Sequence, residues 1–285
     1  MIFPPEFQFS QASLQDYSEC RRRFYLRYLL RLAWPAVQIE PAAENERFMQ
    51  QGQRFHRMLQ QALVGVPAER LAQMAGGADD LQRWWGNFQS ALERLPELEG
   101  LRRGSSRSYV EAGLRGLACN HTLLAVYDLV LVGADGTAMI FDWKTNRQRP
   151  KRAGLARRLQ TRVYPYLLVQ AGAHLNQGKP FAPEQIQMIY WFADFPGKPE
   201  RFPYSQEQYA ADEAYLCGLI AEIERLPVAG FTLTEQVERC RFCVYRSLCD
   251  RGVDAGALSE AHDEGEAALQ DGLDFDFEQI GEIGF

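Results

Sequence analysis

The sequence predicts an α/β fold, because strand-like and helical patterns alternate along its 285 residues. Short apolar runs rich in β-branched residues predict strands at 108–117, 121–133, 137–143 and 186–193. Apolar side chains at helical spacing predict helices over 10–34, 45–64, 68–100, 153–172 and 205–226. A hydrophobic content of 46% can fill one sizeable core, so we expect a single domain over residues 1–252.

Local signals define the limits of several of these elements. Ser10 and Ser13 are N-cap candidates for the first helix, since a hydroxyl group there can accept a hydrogen bond from an exposed backbone N–H. The residues Ala134-Asp135-Gly136 predict a tight turn, and therefore a hairpin, between two strands. Pro165 lies inside the helix predicted over 153–172 and is expected to kink it.

Two helical regions precede the predicted strands. Residues 45–64 place Phe48, Phe55 and Leu59 near helical spacing, which predicts an amphipathic helix. Gly-Gly and Pro breaks then divide a helical insertion at about 65–105.

Charge is distributed unevenly along the chain. The net charge is −6, but residues 251–285 hold ten acidic residues and one basic residue, a net of −9. Residues 1–250 hold the other 30 basic and 27 acidic residues, a net of +3. The folded part is therefore mildly basic, and residues 253–285 are predicted to be a flexible acidic tail.

The sequence predicts a cytoplasmic protein. It contains no run of about 18 apolar residues that could cross a membrane, and its first residues lack the basic and then apolar pattern of a secretory signal. Disulfides are rare in the cytoplasm. Cys119, in an apolar strand, and Cys217, on a helix, are therefore expected to be small buried hydrophobic side chains.

The other four cysteines predict a metal site. Cys240, Cys243 and Cys249 form a Cys-x2-Cys-x5-Cys pattern in the segment 236–252, and Cys20 is the best candidate for a fourth ligand. Four thiolates can hold a zinc ion or an iron–sulfur cluster, and the spacing alone favours neither.

Two aspartates and a lysine predict a catalytic centre on adjacent strands. Asp142 and Lys144 project from one face, because side chains alternate along a strand. Asp128 lies in the preceding strand-like run. Carboxylates can hold a divalent cation and a lysine can stabilise charge on an attacked phosphate, so this set suits metal-assisted phosphodiester hydrolysis.

These residues, together with Gln160-x3-Tyr164 and the segment 18–25, resemble the RecB-like branch of the PD-(D/E)XK nuclease superfamily. One upstream cysteine and a downstream trio are similar to the iron–sulfur members of that branch, which include the nuclease of CRISPR adaptation. The resemblance covers about residues 10–250. It implies a restriction-endonuclease-like core, with a mixed central sheet flanked by helices and with N- and C-terminal segments tied by a metal cluster.

The resemblance also implies a role for each matched position of the catalytic centre. His56, Asp128 and Asp142, with the backbone carbonyl of Trp143, would hold Mg²⁺ or Mn²⁺, and Lys144 would be the catalytic lysine. Gln160 and Tyr164 lie one helical turn apart and would orient Lys144 or contact DNA. Glu111 aligns with an acid often seen on the first strand of such nucleases, but it is not included in the predicted metal set.

For the cysteines, the resemblance implies a 4Fe–4S cluster held by Cys20, Cys240, Cys243 and Cys249, with zinc as the alternative. Ligation of Cys20 together with the downstream trio would tie the first helix to the C-terminal segment and close a long loop.

The implied activity is that of a metal-dependent deoxyribonuclease, expected to be an exonuclease that acts on single-stranded DNA or on DNA ends. The process would be DNA repair, recombination or CRISPR-type DNA processing. Phe24, Tyr25 and Tyr28 are expected to stack on bases. The backbone would be bound by the basic residues of 21–31 and by Arg147, Arg149, Lys151, Arg152, Arg157 and Arg158.

Partners other than DNA follow from two further observations. The chain has no G-x-x-x-x-G-K-[ST] motif, so any unwinding would come from a separate helicase. The acidic tail interleaves carboxylates with aromatic residues and is a candidate binding site for a protein partner. The alternative function is a non-catalytic iron–sulfur or zinc-stabilised DNA-binding module.

Overall fold

The computed structural model describes residues 7–32 and 42–256, in which helices cover both faces of one mixed sheet. The strands are β1 (Phe9–Ser10), β2 (Arg107–Ala118), β3 (His121–Val132), β4 (Ala138–Lys144), β5 (Ile186–Phe192) and β6 (Glu200–Pro203). The α-helices are α1 (Gln11–Glu19), α2 (Arg21–Phe24), α3 (Ala42–Leu63), α4 (Ala68–Met74), α5 (Asp79–Arg94), α6 (Glu99–Arg102), α7 (Arg152–Arg157), α8 (Leu159–Ala171) and α9 (Gln206–Arg225). The predicted mixed sheet flanked by helices is confirmed.

The sheet has the order β1-β3-β4-β5-β6, with β2 paired to the other edge of β3. β1 is parallel to β3 and β4 is parallel to β5, whereas the other pairs are antiparallel. The predicted hairpin joins β3 to β4. In its turn, Thr137 donates its backbone N–H to Asp135 at 3.0 Å, and Gly136 has a φ of 82°, which favours glycine.

β3 shares one of its edges between two strands. Leu123 and Leu124 pair with β1, whereas Leu129 to Val132 pair with β4 on the same edge. Within the described chain, residues 125–128 have no ladder partner on that edge. We call this opening the sheet gap. The pairs that flank it hold the two ends of β3 in place while β4 diverges from it.

Two apolar layers cover the sheet, and their pattern is irregular beside the sheet gap. One layer includes α1, α8 and α9, and the other includes α3 and α5. On β3, Tyr127 faces the first layer, Leu129 the second and Val130 the first again, so the alternation shifts by one residue at Asp128.

β2 shows the same shift directly opposite. Tyr109 and Ala112 face the first layer, whereas Val110 faces the second. Glu111 lies between them with a φ of 50°, which is unusual for a residue with a side chain. Irregularities of this kind in paired strands are concentrated at functional sites, because they redirect side chains.

The N-terminal helix is shorter than predicted. Ser10 is its N-cap: Ser13 donates its backbone N–H to Ser10 Oγ at 3.1 Å, and Ser10 donates its N–H to Ser13 Oγ at 2.9 Å. The prediction of one helix over 10–34 is wrong, because Cys20 has an extended backbone (φ −157°) and ends α1. After α2, Tyr25–Leu29 form a π-helical turn.

The helix predicted over 153–172 is also divided, but not at the proline. Arg158, with φ −66° and ψ 140°, separates α7 from α8. Pro165 lies inside α8, which continues through it, so the expected break falls seven residues earlier. The short strands β1 and β6 were not predicted, because neither is long enough for a strand pattern to be recognised.

Cys119 and Cys217 are joined by a disulfide, with their Cα atoms 5.4 Å apart. The expectation of two unpaired buried thiols is therefore wrong. Cys119 lies at the tip of the β2–β3 hairpin and Cys217 lies on α9, and both are partly exposed. They are 98 residues apart in sequence, so only the fold brings them together.

In the described ranges, no helix is both long and apolar enough to cross a bilayer.

The N-cap gives a test of the fold at its first helix. Replacing Ser10→Ala should lower the free energy of unfolding by about 1 kcal/mol, because the backbone N–H of Ser13 in the first turn of α1 loses its acceptor, Ser10 Oγ. Chemical denaturation would measure this. Ser18→Ala is the matched control: its hydroxyl bonds only to Leu14 O within α1 and is exposed, so equal losses from both variants would contradict the capping role.

Candidate active site

The site begins at the sheet gap, where a side chain replaces a ladder hydrogen bond. The β3–β4 register would place Trp143 opposite Tyr127, but the backbone N–H of Trp143 instead donates to Asp128 Oδ2 at 2.7 Å. A buried N–H needs an acceptor, so this bond satisfies β4 where it leaves β3. Asp128 and the end of β4 are thereby held together.

Asp142, Lys144 and Gln160 form a closed buried group. Lys144 Nζ lies 2.9 Å from Asp142 Oδ2 and donates to Gln160 Oε1 at 3.1 Å. Gln160 Nε2 donates to the other oxygen of Asp142. Asp142 and Lys144 project from the same face of β4, as the alternation predicts, and α8 supplies Gln160. Each residue is less than one-tenth exposed, so each holds the other two in one arrangement.

His56 reaches the same site from the opposite layer. It lies on α3, and its Nδ1 is 3.5 Å from Asp128 Oδ1. Burial alone would lower the pKa of His56, but the charge of Asp128 and the hydrogen bond to it raise the pKa overall. Asp142 adds to the same effect. The site therefore lies where the two helical layers meet across the sheet gap.

The two aspartates differ in proton affinity. Burial raises the pKa of Asp142 above its ordinary value, in spite of the ion pair with Lys144. Burial acts in the same direction on Asp128, but the charge of His56, the hydrogen bond to it and the Trp143 N–H outweigh burial and lower the pKa. Opposite shifts on neighbouring carboxylates are typical of functional sites.

Glu111 is an acidic residue that the predicted metal set does not include. Burial, and then the charge of Asp128, raises the pKa of Glu111 to about 7, while His56 opposes the shift. Glu111 is therefore close to both of these groups. Its position opposite Asp128 in the β2–β3 register could have indicated a place at the site, but this position is known only once the two strands have been paired.

The donors around the sheet gap fit a divalent metal ion in kind. Asp128, Asp142 and Glu111 offer carboxylate oxygens and His56 an imidazole nitrogen, which are ligands that divalent ions take. Besides burial, the charge of Asp128 contributes to the raised pKa of both Glu111 and Asp142, and a cation would relieve this repulsion. Within the described ranges, no three His, Cys, Asp or Glu side chains are arranged to hold a metal ion. Metal binding therefore requires some of these side chains to change their conformation.

Tyr164 follows Gln160 by one turn of α8 and is buried. Its ring packs against that of Tyr127, with centroids 4.8 Å apart, and its backbone carbonyl accepts from the Tyr127 hydroxyl at 2.9 Å. The predicted roles of Tyr164 and of the Trp143 carbonyl stay predictions.

The four remaining cysteines come together from the two ends of the described chain. Cys20 lies between α1 and α2, and Cys240, Cys243 and Cys249 lie in the segment after α9; all four are free thiols. Burial raises the pKa of Cys249 to about 11, and the negative charges of Cys243 and Cys20 add to the shift. Cys20 therefore lies close to the downstream trio, although no three of them are placed at ligating geometry in the described ranges.

The aromatic residues near Cys20 are not available to stack on bases. Phe24 is fully buried and Tyr28 is 8% exposed. Tyr25 is partly exposed, but its ring stacks on Phe231 with centroids 5.1 Å apart. The prediction of base stacking by these three residues is wrong, because the apolar core of the first layer uses them.

Several of the predicted DNA-binding arginines also have internal partners. Arg23 is buried and its Nε lies 2.7 Å from Asp16 Oδ1, while Arg27 is 2.8 Å from the other oxygen of Asp16. Arg158 is 8% exposed. Arg149 and Arg152 both pair with Glu200. In the predicted run, Arg158 is buried, whereas Arg147, Arg149, Lys151, Arg152 and Arg157 are exposed.

The chain belongs to the PD-(D/E)XK nuclease superfamily, whose family model matches residues 8–250. Among solved structures, it is similar to SSO0001, with 12% identity, 87% of each chain covered and a TM-score of 0.38. It is also similar to a proposed exonuclease from Eubacterium rectale, with 9% identity, 76% of this chain and 80% of that chain covered, and a TM-score of 0.44. Likeness at this level carries no functional argument. No curated protein matches the chain.

The raised pKa of Glu111 predicts a pH-dependent stability in protein without metal. A carboxyl group whose folded pKa lies above its unfolded value stabilises the fold below the unfolded pKa, and this contribution is lost as pH rises towards about 7. As pH rises from 4 to 8, the free energy of unfolding of Glu111→Gln should therefore increase relative to that of the wild type, because only the wild type loses this contribution. Denaturation in chelator would measure the difference. An unchanged difference between the two proteins across this range would contradict the raised pKa of Glu111.

Proposed function

We propose that this member of the superfamily is a metal-dependent deoxyribonuclease. The observation that carries the proposal is the buried group of Lys144, Asp142 and Gln160 beside Asp128 and His56. A buried lysine and carboxylates lose hydration, and such a set is unfavourable unless it is fully paired. Its location at an irregular point of the sheet favours a catalytic role over a purely structural one.

In this proposal each side chain of the site has a separate task. His56, Asp128 and Asp142 would hold the ion, with Glu111 as a further carboxylate. A bound Mg²⁺ or Mn²⁺ would lower the pKa of a water molecule and stabilise charge on phosphate oxygens. Lys144 places an ammonium charge where the attacked phosphate gains negative charge.

Gln160 supports this arrangement by fixing two of the other groups. Its carbonyl oxygen accepts from Lys144 and its amide donates to Asp142, so it sets the direction of both side chains. Because Gln160 already holds Lys144 in the protein, the direction of the ammonium group is set before a phosphate enters.

The substrate in this proposal is DNA with a single-stranded region or a free end, and the enzyme would be an exonuclease. Exposed basic side chains follow β4, whose last residue is Lys144, so a DNA backbone could pass directly from this surface into the site. Arg147 is paired with Glu44 at 3.3 Å, but both are exposed, and exposed pairs of this kind are weak enough to be exchanged for phosphate.

At the cysteine site, we propose a 4Fe–4S cluster bound by Cys20, Cys240, Cys243 and Cys249. The free state of the four thiols and their mutual electrostatic influence support it. The backbone also joins the two ends here, since Arg22 donates its N–H to Thr232 O at 3.0 Å. The cluster would have a structural role, and zinc is the alternative occupant.

The cellular role in this proposal is DNA repair, recombination or CRISPR-type DNA processing in the cytoplasm. Unwinding, where required, would come from a partner helicase. The acidic tail predicted at 253–285 falls mostly in residues 257–285, outside the described residues, and its binding to a protein partner remains a prediction.

The nuclease proposal predicts cleavage of labelled DNA with Mn²⁺ and none with EDTA. Lys144→Ala should lower kcat/KM by about 10²–10³-fold, because the charge on the phosphate loses its stabilising ammonium group. Lys179→Ala, on an exposed surface, is the matched control. Using single-stranded, duplex and end-blocked substrates in parallel would test the exonuclease assignment. A protein that binds DNA but cuts none of these substrates is the non-catalytic module instead.

The cluster proposal predicts about four iron atoms per chain in anaerobically purified protein, with the broad visible absorption of an iron–sulfur cluster. Cys243→Ser should lose both signals. Cys217→Ser should retain them, since Cys217 is bonded to Cys119 and is not one of the four free thiols. One zinc ion per chain without visible absorption would assign the site to zinc. An iron-free Cys243→Ser that folds and cleaves normally would refute the structural role.

A further inference from the structure

A chain of hydrogen bonds connects the cysteine site to the proposed catalytic site through Gln15 on α1. Leu159 donates its backbone N–H to Gln15 Oε1 at 2.9 Å, across 144 residues of sequence. Leu159 is the first residue of α8. Its N–H has no partner within the helix, as is usual at a helix start, so Gln15 caps α8 from outside.

The capped residue immediately precedes Gln160. Gln160 bridges Asp142 and Lys144, so the position of the first turn of α8 determines where this bridge lies. Leu159 is itself buried, at 1% exposed, and α1 packs along α8 in the same apolar layer. A shift of α1 would therefore be transmitted to Gln160 through this contact.

The orientation of the Gln15 amide is set by Glu19, one turn further along α1. Gln15 Nε2 donates to Glu19 Oε1 at 2.8 Å. A carboxylate can only accept, so the amide nitrogen must face Glu19 and the amide oxygen must face Leu159. The two hydrogen bonds of Gln15 are thus mutually consistent, and the loss of Glu19 would release the amide to rotate.

Glu19 is in turn held by two arginines that belong to the cysteine site. Arg23 pairs with the second oxygen of Glu19, and Arg239 Nη1 lies 3.5 Å from the first. Arg239 directly precedes Cys240 in the chain. The charge of Arg23 acts on Cys243, so this guanidinium lies beside the thiols as well as beside Glu19. Glu19 itself directly precedes Cys20.

We propose that Gln15 is a positioning residue for the catalytic site and that it couples the occupancy of the cysteine site to the rate of cleavage. When the four thiols are bound to their metal, Cys20, Arg23 and Arg239 hold Glu19 in place, and Gln15 caps Leu159. When the metal is lost, α1 and Glu19 are released, the cap loosens, and Gln160 no longer fixes Lys144 and Asp142. This inference rests on the proposed nuclease function and on the proposed metal at the cysteines.

The kinetic test replaces Gln15→Met, which keeps the length of the side chain but removes both hydrogen bonds. We expect kcat to fall about tenfold, the scale for a residue that orients a catalytic group, with KM changed less than about twofold. The matched control is Tyr17→Phe. Tyr17 lies on the same helix and its hydroxyl donates to Glu222 on α9 at 2.8 Å, so this variant loses a contact of α1 that does not lead to α8. An equal fall in kcat for both variants would overturn the proposal.

A rescue variant distinguishes loss of the hydrogen bond to Leu159 from a change in packing around residue 15. The variant Gln15→Glu keeps an oxygen acceptor in front of the Leu159 N–H and leaves Glu19 paired with Arg23 and Arg239. It should recover most of the kcat lost in Gln15→Met. A Gln15→Glu variant as slow as Gln15→Met, despite normal folding, would show that hydrogen bonding to Leu159 does not set the rate.

Amide hydrogen exchange tests the coupling without measuring activity. In wild-type protein, removal of the metal from the cysteines should increase exchange in the first turn of α8. In Gln15→Met that turn should already exchange faster, and metal removal should add little, because the connection has been broken. Equal increases in both proteins would overturn the coupling. A wild-type protein that cuts no DNA would refute the proposed function, whereas the exchange data would still decide whether the connection exists.

Discussion

The hydrogen bond from the Trp143 backbone to Asp128 is the constraint on which the site depends. A strand that leaves its neighbour exposes an N–H that must be satisfied within the protein. The carboxylate of Asp128 takes the place of the missing ladder carbonyl, so β4 can diverge without leaving a buried donor unpaired. The separation of the strands opens the sheet gap, and beside it His56, from the opposite layer, lies 3.5 Å from Asp128.

The price of this opening is a concentration of polar groups in the interior, and the protein offsets it by pairing them. Asp142, Lys144 and Gln160 are all buried, and isolated charges in such a place would be strongly unfavourable. Each of the three side chains makes a polar contact with the other two, and these contacts order the group and offset the free-energy cost of burying it. Two elements position these side chains: β4 carries the aspartate and the lysine, and α8 carries the glutamine. The proposed catalytic site therefore depends on the position of α8.

Much of this architecture could be predicted from local sequence. The alternation that places Asp142 and Lys144 on one face, the hairpin turn at Asp135-Gly136 and the cap at Ser10 are determined by residues within a few positions of one another. Glu111 is not in the predicted metal set, because a solvated strand position fits its sequence context equally well. Its position near Asp128 depends on strand register and on a backbone conformation that a residue with a side chain rarely adopts.

Other features depend on contacts between distant segments and could not be predicted from composition. A run of arginines and aromatic residues after Cys20 is compatible with a DNA-binding surface, but Asp16 pairs with two of the arginines and Phe231 packs on the aromatic rings. Likewise, Cys119 and Cys217 become neighbours only when α9 packs beside the hairpin tip. The role of Gln15 could not be predicted from the sequence, because its partner Leu159 is apolar and contacts Gln15 through its backbone N–H.

The joining of the two ends of the chain has a consequence for synthesis. Thr232 accepts from Arg22, and the Tyr245 hydroxyl donates to Leu32 at 2.8 Å, so residues near the start of the chain are held by residues made near its end. Asn45 likewise donates to Gly256 O at 2.9 Å. Chains emerge from the ribosome N-terminus first, and segments fold as their partners become available. The sheet and α8 can therefore form on a growing chain, whereas α2 gains its contact with Thr232, and Leu32 its contact with Tyr245, only after those later residues have been made.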